Sequence, residues 1–432
     1  MSFITGKKNY FKNLLSSYLP YIAQIVITIF LTPLMLKVFG QEKYGVYVLL
    51  NTFVAYFTLS NIGLPQTLIR LLIQEKEKNN IQKINQMISS TFFYYIIAIL
   101  FLFLINILIF YIDLFNINNL ILNTNNKDLL QSFSIGMLLV SLLFGIKLVS
   151  EIFDSIIVST NKIYVAQVVK LINIIFLGIS TFLALDIYAS IESVLLFNAV
   201  VSLLILIILL FQAKKVVSFE INFKNTNLHI FKEMLPSSFW YFLSGIGVIL
   251  IFQTDSIVIS SVIGLSSVAI YSLMFKFSDI FRQILSNIVN IMFSDISRLY
   301  AKEEFKLITK KHNEILLITI AMSIVVSIFL YFIGYQLFQF WIGKENSGTI
   351  NLFLFFIIYM ALFSINQVSG LFLGAMNKHR NGVIVGFIQA VLNLILSISF
   401  LYIYQDVKWV IISTIISLVL TNLWYSPYYF IR

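Results

Sequence analysis

Apolar runs of some twenty residues, separated by short polar stretches, recur along the whole chain. About 20 apolar residues is what a helix needs to cross a bilayer core. That ruler predicts twelve spans. In the first half they run Leu14–Leu36, Tyr44–Leu68, Ile88–Tyr111, Leu130–Val158, Val165–Leu185 and Val194–Phe211. In the second half they run Leu235–Ile259, Val268–Phe293, Ile315–Phe338, Leu352–Leu373, Val383–Tyr404 and Val410–Phe430. Only Gly264-Leu265-Ser266-Ser267 divides the seventh span from the eighth. The pattern therefore predicts an all-α integral membrane protein with an N-terminal six-helix lobe at 1–212, a cytoplasmic linker at 213–234 and a C-terminal six-helix lobe at 235–432.

Composition agrees. Of 432 residues 59% are hydrophobic and 11% charged, whereas a soluble domain carries about 25% charged residues. A net charge of +10 would suggest nucleic acid in a soluble protein, but here the basic residues collect in alternate loops. With the N-terminus inside, inner segments hold Lys7, Lys8 and Lys12, then Arg70, Lys76, Lys78 and Lys83, and further groups around Lys214, Arg298 and Lys378. Outer loops hold only Lys37, Lys43, Lys127, Lys344 and Lys408. The bias obeys the positive-inside rule and puts both termini in the cytoplasm, in a multi-pass membrane protein with no nucleic-acid partner. The N-terminus has no short apolar region with a small-residue cleavage site, so the first span is expected to be retained.

Chemistry is limited by what is missing. There are no cysteines, which excludes thiolate nucleophiles and thiolate metal sites. His229, His312 and His379 fall in separate polar stretches, so no histidine metal or catalytic cluster is expected. No phosphate loop of the form G-x-x-x-x-G-K-[ST] exists, so no ATP hydrolysis, enzyme activity or cofactor is expected. An ion gradient, the membrane potential or downhill use of product must supply energy.

The charges inside spans are the candidate site. In Leu138–Asn161, Lys147, Glu151 and Asp154 share one helical face. Each costs about 2.5–3.5 kcal/mol near a bilayer centre, so the stripe cannot face lipid. Two readings stay open: a self-neutralising stripe that holds helices together, or the wall of a hydrated translocation cavity. Span eight carries Lys276, Asp279, Gln283, Asn287 and Asn290 on one face, with Arg282 off it. Lys170 and Asn173 lie in span five, Asp255 in span seven, and Gln389, Asn393 and Ser397 in span eleven. Amides such as Gln24, Gln389 and Asn393 serve interhelical hydrogen bonding as readily as function. Pro65, following Asn61-Ile62-Gly63, is a candidate bending point in span two.

The halves echo each other. Val38 to Tyr47 aligns with Val262 to Tyr271 at a constant offset, repeating Val, Gly (Gly40 and Gly264) and Tyr. Ser159-Thr160-Asn161-Lys162 is echoed by Ala375-Met376-Asn377-Lys378 at the equivalent topological place. A six-helix unit repeated after an even number of spans keeps its orientation, and the two lobes are then related by an axis along the membrane normal.

These motifs carry a resemblance. Thr32-Pro33-Leu34-Met35-Leu36-Lys37-Val38-Phe39-Gly40 with Tyr44-Gly45-Val46-Tyr47, Asn61-Ile62-Gly63-Leu64 leading to Arg70, and Asp255-Ser256-Ile257-Val258-Ile259 with Gly264 and Tyr271 are similar to the polysaccharide transporter branch of the MATE-like flippase superfamily, the Wzx-type O-antigen and capsule flippases. The resemblance implies two six-helix lobes around a central cavity and alternating access. It implies a substrate, an undecaprenyl-diphosphate-linked oligosaccharide, moved from the inner to the outer leaflet for surface polysaccharide. Membrane lipids, a polysaccharide polymerase and glycosyltransferases are the implied associates. On that reading Lys147, Lys170, Lys276, Arg282, Asn287 and Gln389 line the substrate cavity. Glu151, Asp154, Asp255 and Asp279 are counter-ions or ion-coupling groups, and Pro33, Gly40, Gly63, Pro65 and Gly264 are conformational residues. An ion-coupled multidrug or cation antiporter of the same fold is the alternative.

Overall fold

In a computed structural model the described residues fold almost entirely into helices. The structure describes residues 2–112, 117–160, 162–290, 292–376, 378 and 380–431, and among these the side chains of all but 2–17, 109–112, 117–119, 287, 288, 294, 301 and 431. Asn161, Asn377 and His379, and the side chain of Asn287, lie outside the described residues. The helices are α1 (Ser2–Phe57), α2 (Leu64–Glu77), α3 (Ile81–Ile112), α4 (Ile117–Leu122), α5 (Lys127–Ser159), α6 (Ile163–Ile187), α7 (Ile191–Val216), α8 (Leu228–Phe252) and α9 (Thr254–Val262). They continue as α10 (Leu265–Asn290), α11 (Phe293–Ala301), α12 (Phe305–Phe329), α13 (Tyr335–Ile342), α14 (Ile350–Ala375), α15 (Arg380–Tyr404), α16 (Lys408–Leu420) and α17 (Asn422–Ile431).

Ten stretches among the described residues are long and apolar enough to cross a membrane. The first, Tyr18–Asn61, has 44 residues. At about 1.5 Å per residue it is twice too long for one crossing of a hydrocarbon core about 30 Å thick. It holds the first two predicted spans, and Gly40 (φ 70, ψ 177) is the non-helical residue between them. The eighth predicted span is α10, whose charged stripe keeps it out of the ten. Counting Tyr18–Asn61 as two crossings and adding α10 gives twelve spans among the described residues, with α4 and α11 too short to cross.

The structure moves several predicted boundaries. Span two does not run through to Leu68: a 3-10 turn at Thr58–Asn61 and left-handed Ile62 and Gly63 end it, and α2 starts afresh with Pro65 in its first turn. Span seven breaks at Gln253, between α8 and α9, as well as at Gly264. Span nine begins ten residues early, at Phe305, and a π-helical turn at Leu330–Gly334 joins α12 to α13. His312 therefore lies in α12 and is buried, with Nε2 3.0 Å from the Ser369 hydroxyl. The helix pattern of Lys306 to Glu314 was masked in the sequence by its charges.

The chain divides into two compact units, residues 1–120 with 124–242, and residues 121–123 with 243–432. In the first unit α5 is central. Its Phe144, Leu148, Ile152 and Ile156 are buried with Leu64, Leu68 and Leu72 of α2 and Ile205 and Leu209 of α7. The segment expected as a linker belongs to this core, because Phe219, Ile230 and Met234 are buried in it. Ser89 and Ser90 of α3 hold it, accepting from the backbone N–H groups of Asn222 and Asn227. Small residues let backbones approach, as lipid-embedded helices require. A Cβ on Gly136 would lie 2.5 Å from Leu50 Cδ1. In the second unit Val368, Phe372 and Leu373 of α14 pack with Val289 of α10, Ile296 of α11 and Ile308 of α12. Large apolar side chains such as Ile97, Phe101, Phe332 and Phe340 stay exposed on span surfaces, which is what a lipid solvent permits.

Candidate functional site

Four helical stripes in the first unit converge on a cavity of about 600 Å³. Tyr47, Asn51 and Val54 come from α1, and Leu143, Lys147, Ser150, Glu151 and Asp154 from α5. Ala166, Val169, Lys170, Asn173 and Leu177 come from α6, and Leu195, Asn198, Ser202, Ile205 and Leu209 from α7. The sets recur every three or four residues, with Glu151 and Lys170 also following directly on Ser150 and Val169, so each helix turns one face inward. The in-span charges of α5 and α6 thus meet at one place, and their formal charges sum to zero.

No two of these charges stand within salt-bridge distance among the described residues. Lys147 acts electrostatically on Glu151 one turn along α5, and Lys170 acts on Asp154 across the α5–α6 interface. Lys170 Nζ sits 5.3 Å from the centre of the Tyr21 ring, a cation–π arrangement. Glu151 Oε2 accepts from Asn61 Nδ2 at 3.2 Å. Asn198 Oδ1 accepts from Ser180 at 2.7 Å and Thr181 at 3.2 Å, which locks its amide against α6. Asn173 Oδ1 is buried with no hydrogen-bond partner. The arrangement offers a ligand two ammonium donors, two carboxylate acceptors, amides and hydroxyls above an apolar floor, the polar–apolar mixture of a binding cavity.

The other charged and amide residues expected at the site belong to the second unit. Arg282 Nε donates to Asp279 Oδ1 at 2.6 Å, an i,i+3 pair one helical turn apart, and its guanidinium stacks 5.2 Å from the Phe363 ring centre. Gln283 donates to the other Asp279 oxygen at 2.6 Å. Lys276 is half-buried on the same helix. Gln389 is buried and accepts from Asn422 Nδ2 at 2.6 Å, tying α15 to α17.

Asp255, in the first turn of α9, is a second focus. Its carboxylate is buried and accepts from Tyr271 at 2.7 Å, Ser397 at 3.2 Å and Thr414 at 3.5 Å. Asn393 lies beside it. The donors come from α10, α15 and α16, and none is a cation. Of the conformational residues, Gly40, Gly63 and Gly264 all have positive φ (70, 68 and 123). Pro33 lies within α1.

Sequence reasoning missed Tyr47, Asn51, Ser150, Asn198 and Ser202 as lining groups. The signal existed for α7: Asn198 and Ser202 are four residues apart in an otherwise apolar run.

Comparison with known proteins fixes the family. Residues 7–294 match the family described as Polysaccharide biosynthesis protein, and residues 241–399 match MatE. The chain belongs to the polysaccharide biosynthesis protein family. A curated relative, "Uncharacterized membrane protein EpsK" of Bacillus subtilis (strain 168), is 20% identical over 425 residues, spanning 95% of this chain and 81% of that protein. Among solved structures, "Lipid II flippase MurJ, inward closed conformation" is similar with a TM-score of 0.75 at 17% identity, covering 97% of this chain and 87% of that one. An inward-facing multidrug resistance MATE family transporter of the MOP superfamily also scores 0.75, at 11% identity, covering 96% and 94%. The MATE-like fold and the polysaccharide branch expected from the motifs are both upheld. The family is one of membrane transporters and flippases, not enzymes.

Proposed function

We propose that this transporter moves an undecaprenyl-diphosphate-linked oligosaccharide from the inner to the outer leaflet of the cytoplasmic membrane by alternating access, with both termini cytoplasmic. The observation that carries the reading is the α1–α5–α6–α7 cavity, where Lys147 and Lys170 stand in a membrane-spanning unit without a salt-bridge partner among the described residues. Ammonium groups so placed suit phosphate oxygens or acidic sugars. The carboxylates, amides and hydroxyls beside them suit glycan hydroxyls, while a polyprenyl tail needs only lipid. The family match favours this reading over a multidrug or cation antiporter. Asp255, ringed by neutral donors, is the coupling carboxylate of the proposal and holds a proton or a monovalent cation in the cycle. Lys276, Arg282 and Asp279 are assigned to pairing within the second unit.

The test is reconstitution of the full chain in vesicles with a fluorescent undecaprenyl-diphosphate-linked glycan. Time-dependent loss of inner-leaflet label, abolished in a Lys147→Ala/Lys170→Ala variant that still inserts, is the expected result. Export of cationic dye with no movement of the lipid-linked glycan would overturn it.

A further inference from the structure

The break between α1 and α2 is wired to the cavity through one side chain. Asn61 Oδ1 accepts from the Gly63 backbone N–H at 2.8 Å, capping the break, while Asn61 Nδ2 donates to Glu151 Oε2 at 3.2 Å. Glu151 is 90 positions away in sequence and lines the cavity. The break itself is held under strain. Ile62 sits at φ 52, ψ 28, a left-handed conformation that a β-branched residue adopts only when its surroundings impose it. Gly63 follows at φ 68, ψ 14. A Cβ there would lie 2.5 Å from the Ser238 carbonyl oxygen and 2.8 Å from Tyr241 Cβ, so α8 leans directly on the bend.

Other contacts complete the clamp. Tyr94 of α3 donates to the Ser60 carbonyl at 2.9 Å. Ser155 of α5 lies one turn beyond Glu151, with its hydroxyl 3.3 Å from the Pro65 carbonyl and 2.7 Å from the Glu151 carbonyl. All these partners are neutral hydroxyls and backbone groups except Glu151. The Glu151 carboxyl is thus the one partner in the clamp that also lines the cavity, where a ligand can engage it.

We propose that Asn61 is a positioning residue that couples engagement of Glu151 in the cavity to the conformation of the Ile62–Gly63 break. While the carboxylate is unengaged it holds the Asn61 amide, and Asn61 holds Gly63 in its left-handed turn. A donor group on the cargo, a sugar hydroxyl or ammonium, competes with Asn61 for Glu151. Releasing the amide then lets the strained Ile62 relax and α2 swing relative to α5. The link runs through two hydrogen bonds on one side chain, so the bias is reciprocal: the state of the break changes how Glu151 is presented to the cargo. The cargo part of this proposal rests on the transport reading above.

The natural chain has no cysteines, so spin labels can be placed at will. Gln74→Cys on α2 and Lys162→Cys after α5, both exposed, report the distance across the break in full-length protein without cargo. Asn61→Asp keeps the acceptor for Gly63 and removes the donor to Glu151; Glu151→Ala removes the acceptor. Each is expected to add a second population to a single distance distribution. Asn61→Asp/Glu151→Gln reverses donor and acceptor and is expected to restore the single population. A wild-type distribution in either single variant, or failure of the reversed pair to restore it in protein that elutes as one species, overturns the coupling. Because the distances need no cargo, they stand whatever the vesicle assay reports. In that assay the reversed pair is expected to regain the break but lose lipid-linked glycan movement, and full transport in the pair would overturn the part assigned to the Glu151 carboxylate.

Discussion

Tyr271 donates its phenolic hydroxyl to Asp255 Oδ2 at 2.7 Å in the interior of the second unit, and both residues are buried. The two are joined across the Gly264 corner, with the carboxylate on α9 and the phenol on α10. A hydrogen bond to a carboxylate in a low-dielectric site contributes about 2 kcal/mol. Tyr271→Phe keeps the ring, including its edge-on packing 5.1 Å from Phe356, and removes only the donor. The expected outcome is a folded protein destabilised by roughly that amount, read by thermal unfolding in detergent. Asp255→Asn retains an acceptor and is expected to cost less stability than Tyr271→Phe while lowering transport more.

The three left-handed glycines make a graded series. At Gly40 a Cβ would meet nothing within 4 Å, so Gly40→Ala is charged only for a backbone (φ 70, ψ 177) that is nearly reserved for glycine, about 1–3 kcal/mol. Gly63→Ala adds a collision with the Ser238 carbonyl oxygen at 2.5 Å. That contact is backbone and cannot rotate away. The melting temperature is expected to fall further for Gly63→Ala than for Gly40→Ala, with Gly264→Ala, also in open space, resembling Gly40→Ala.

Much of this was legible in the sequence because lipid makes polar residues conspicuous. Lys147, Glu151 and Asp154 stood out as a stripe in an apolar run, and the structure places Lys170 beside them because α6 packs next to α5. The repeated glycines Gly40 and Gly264 marked corners of positive φ in both halves. What escaped was tertiary. Span two reads as continuous because Ile62 is apolar, and only contacts from Tyr94, Ser155 and Glu151 explain a helix that stops there. Asn61 appeared in the sequence as part of a motif, while its partner ninety positions away was invisible. His312 read as a loop residue because flanking lysines hid a helix turn whose inner face packs on Phe372 and Phe430.

Arg282 was expected in the substrate cavity and Asp279 as a counter-ion or ion-coupling group, and the geometry joins the two as a pair. The 2.6 Å contact involves side chains that are only 19% and 20% exposed. Removing one partner leaves the other's charge half-buried, at a cost of about 2 kcal/mol, whereas removing both relieves the imbalance. Arg282→Ala is therefore expected to lower thermal stability, and Asp279→Ala/Arg282→Ala to recover part of the loss. Additive losses in the double variant would show that the pair is not coupled.

Gln389 separates packing from transport most cleanly. It was expected in the cavity, yet it is 2% exposed and its Oε1 is engaged by Asn422 at 2.6 Å. Interhelical hydrogen bonds of this kind contribute about 0.6–1.7 kcal/mol within membranes. Gln389→Leu has nearly the same volume and strands the Asn422 amide, so it is expected to cost about 1 kcal/mol of stability. Lys147→Ala, whose ammonium has no salt-bridge partner to lose, is expected to do the opposite: unchanged melting with reduced glycan movement. Measuring both properties on both variants places each residue on one axis. A Gln389→Leu protein with wild-type stability and impaired transport would return that amide to the substrate path.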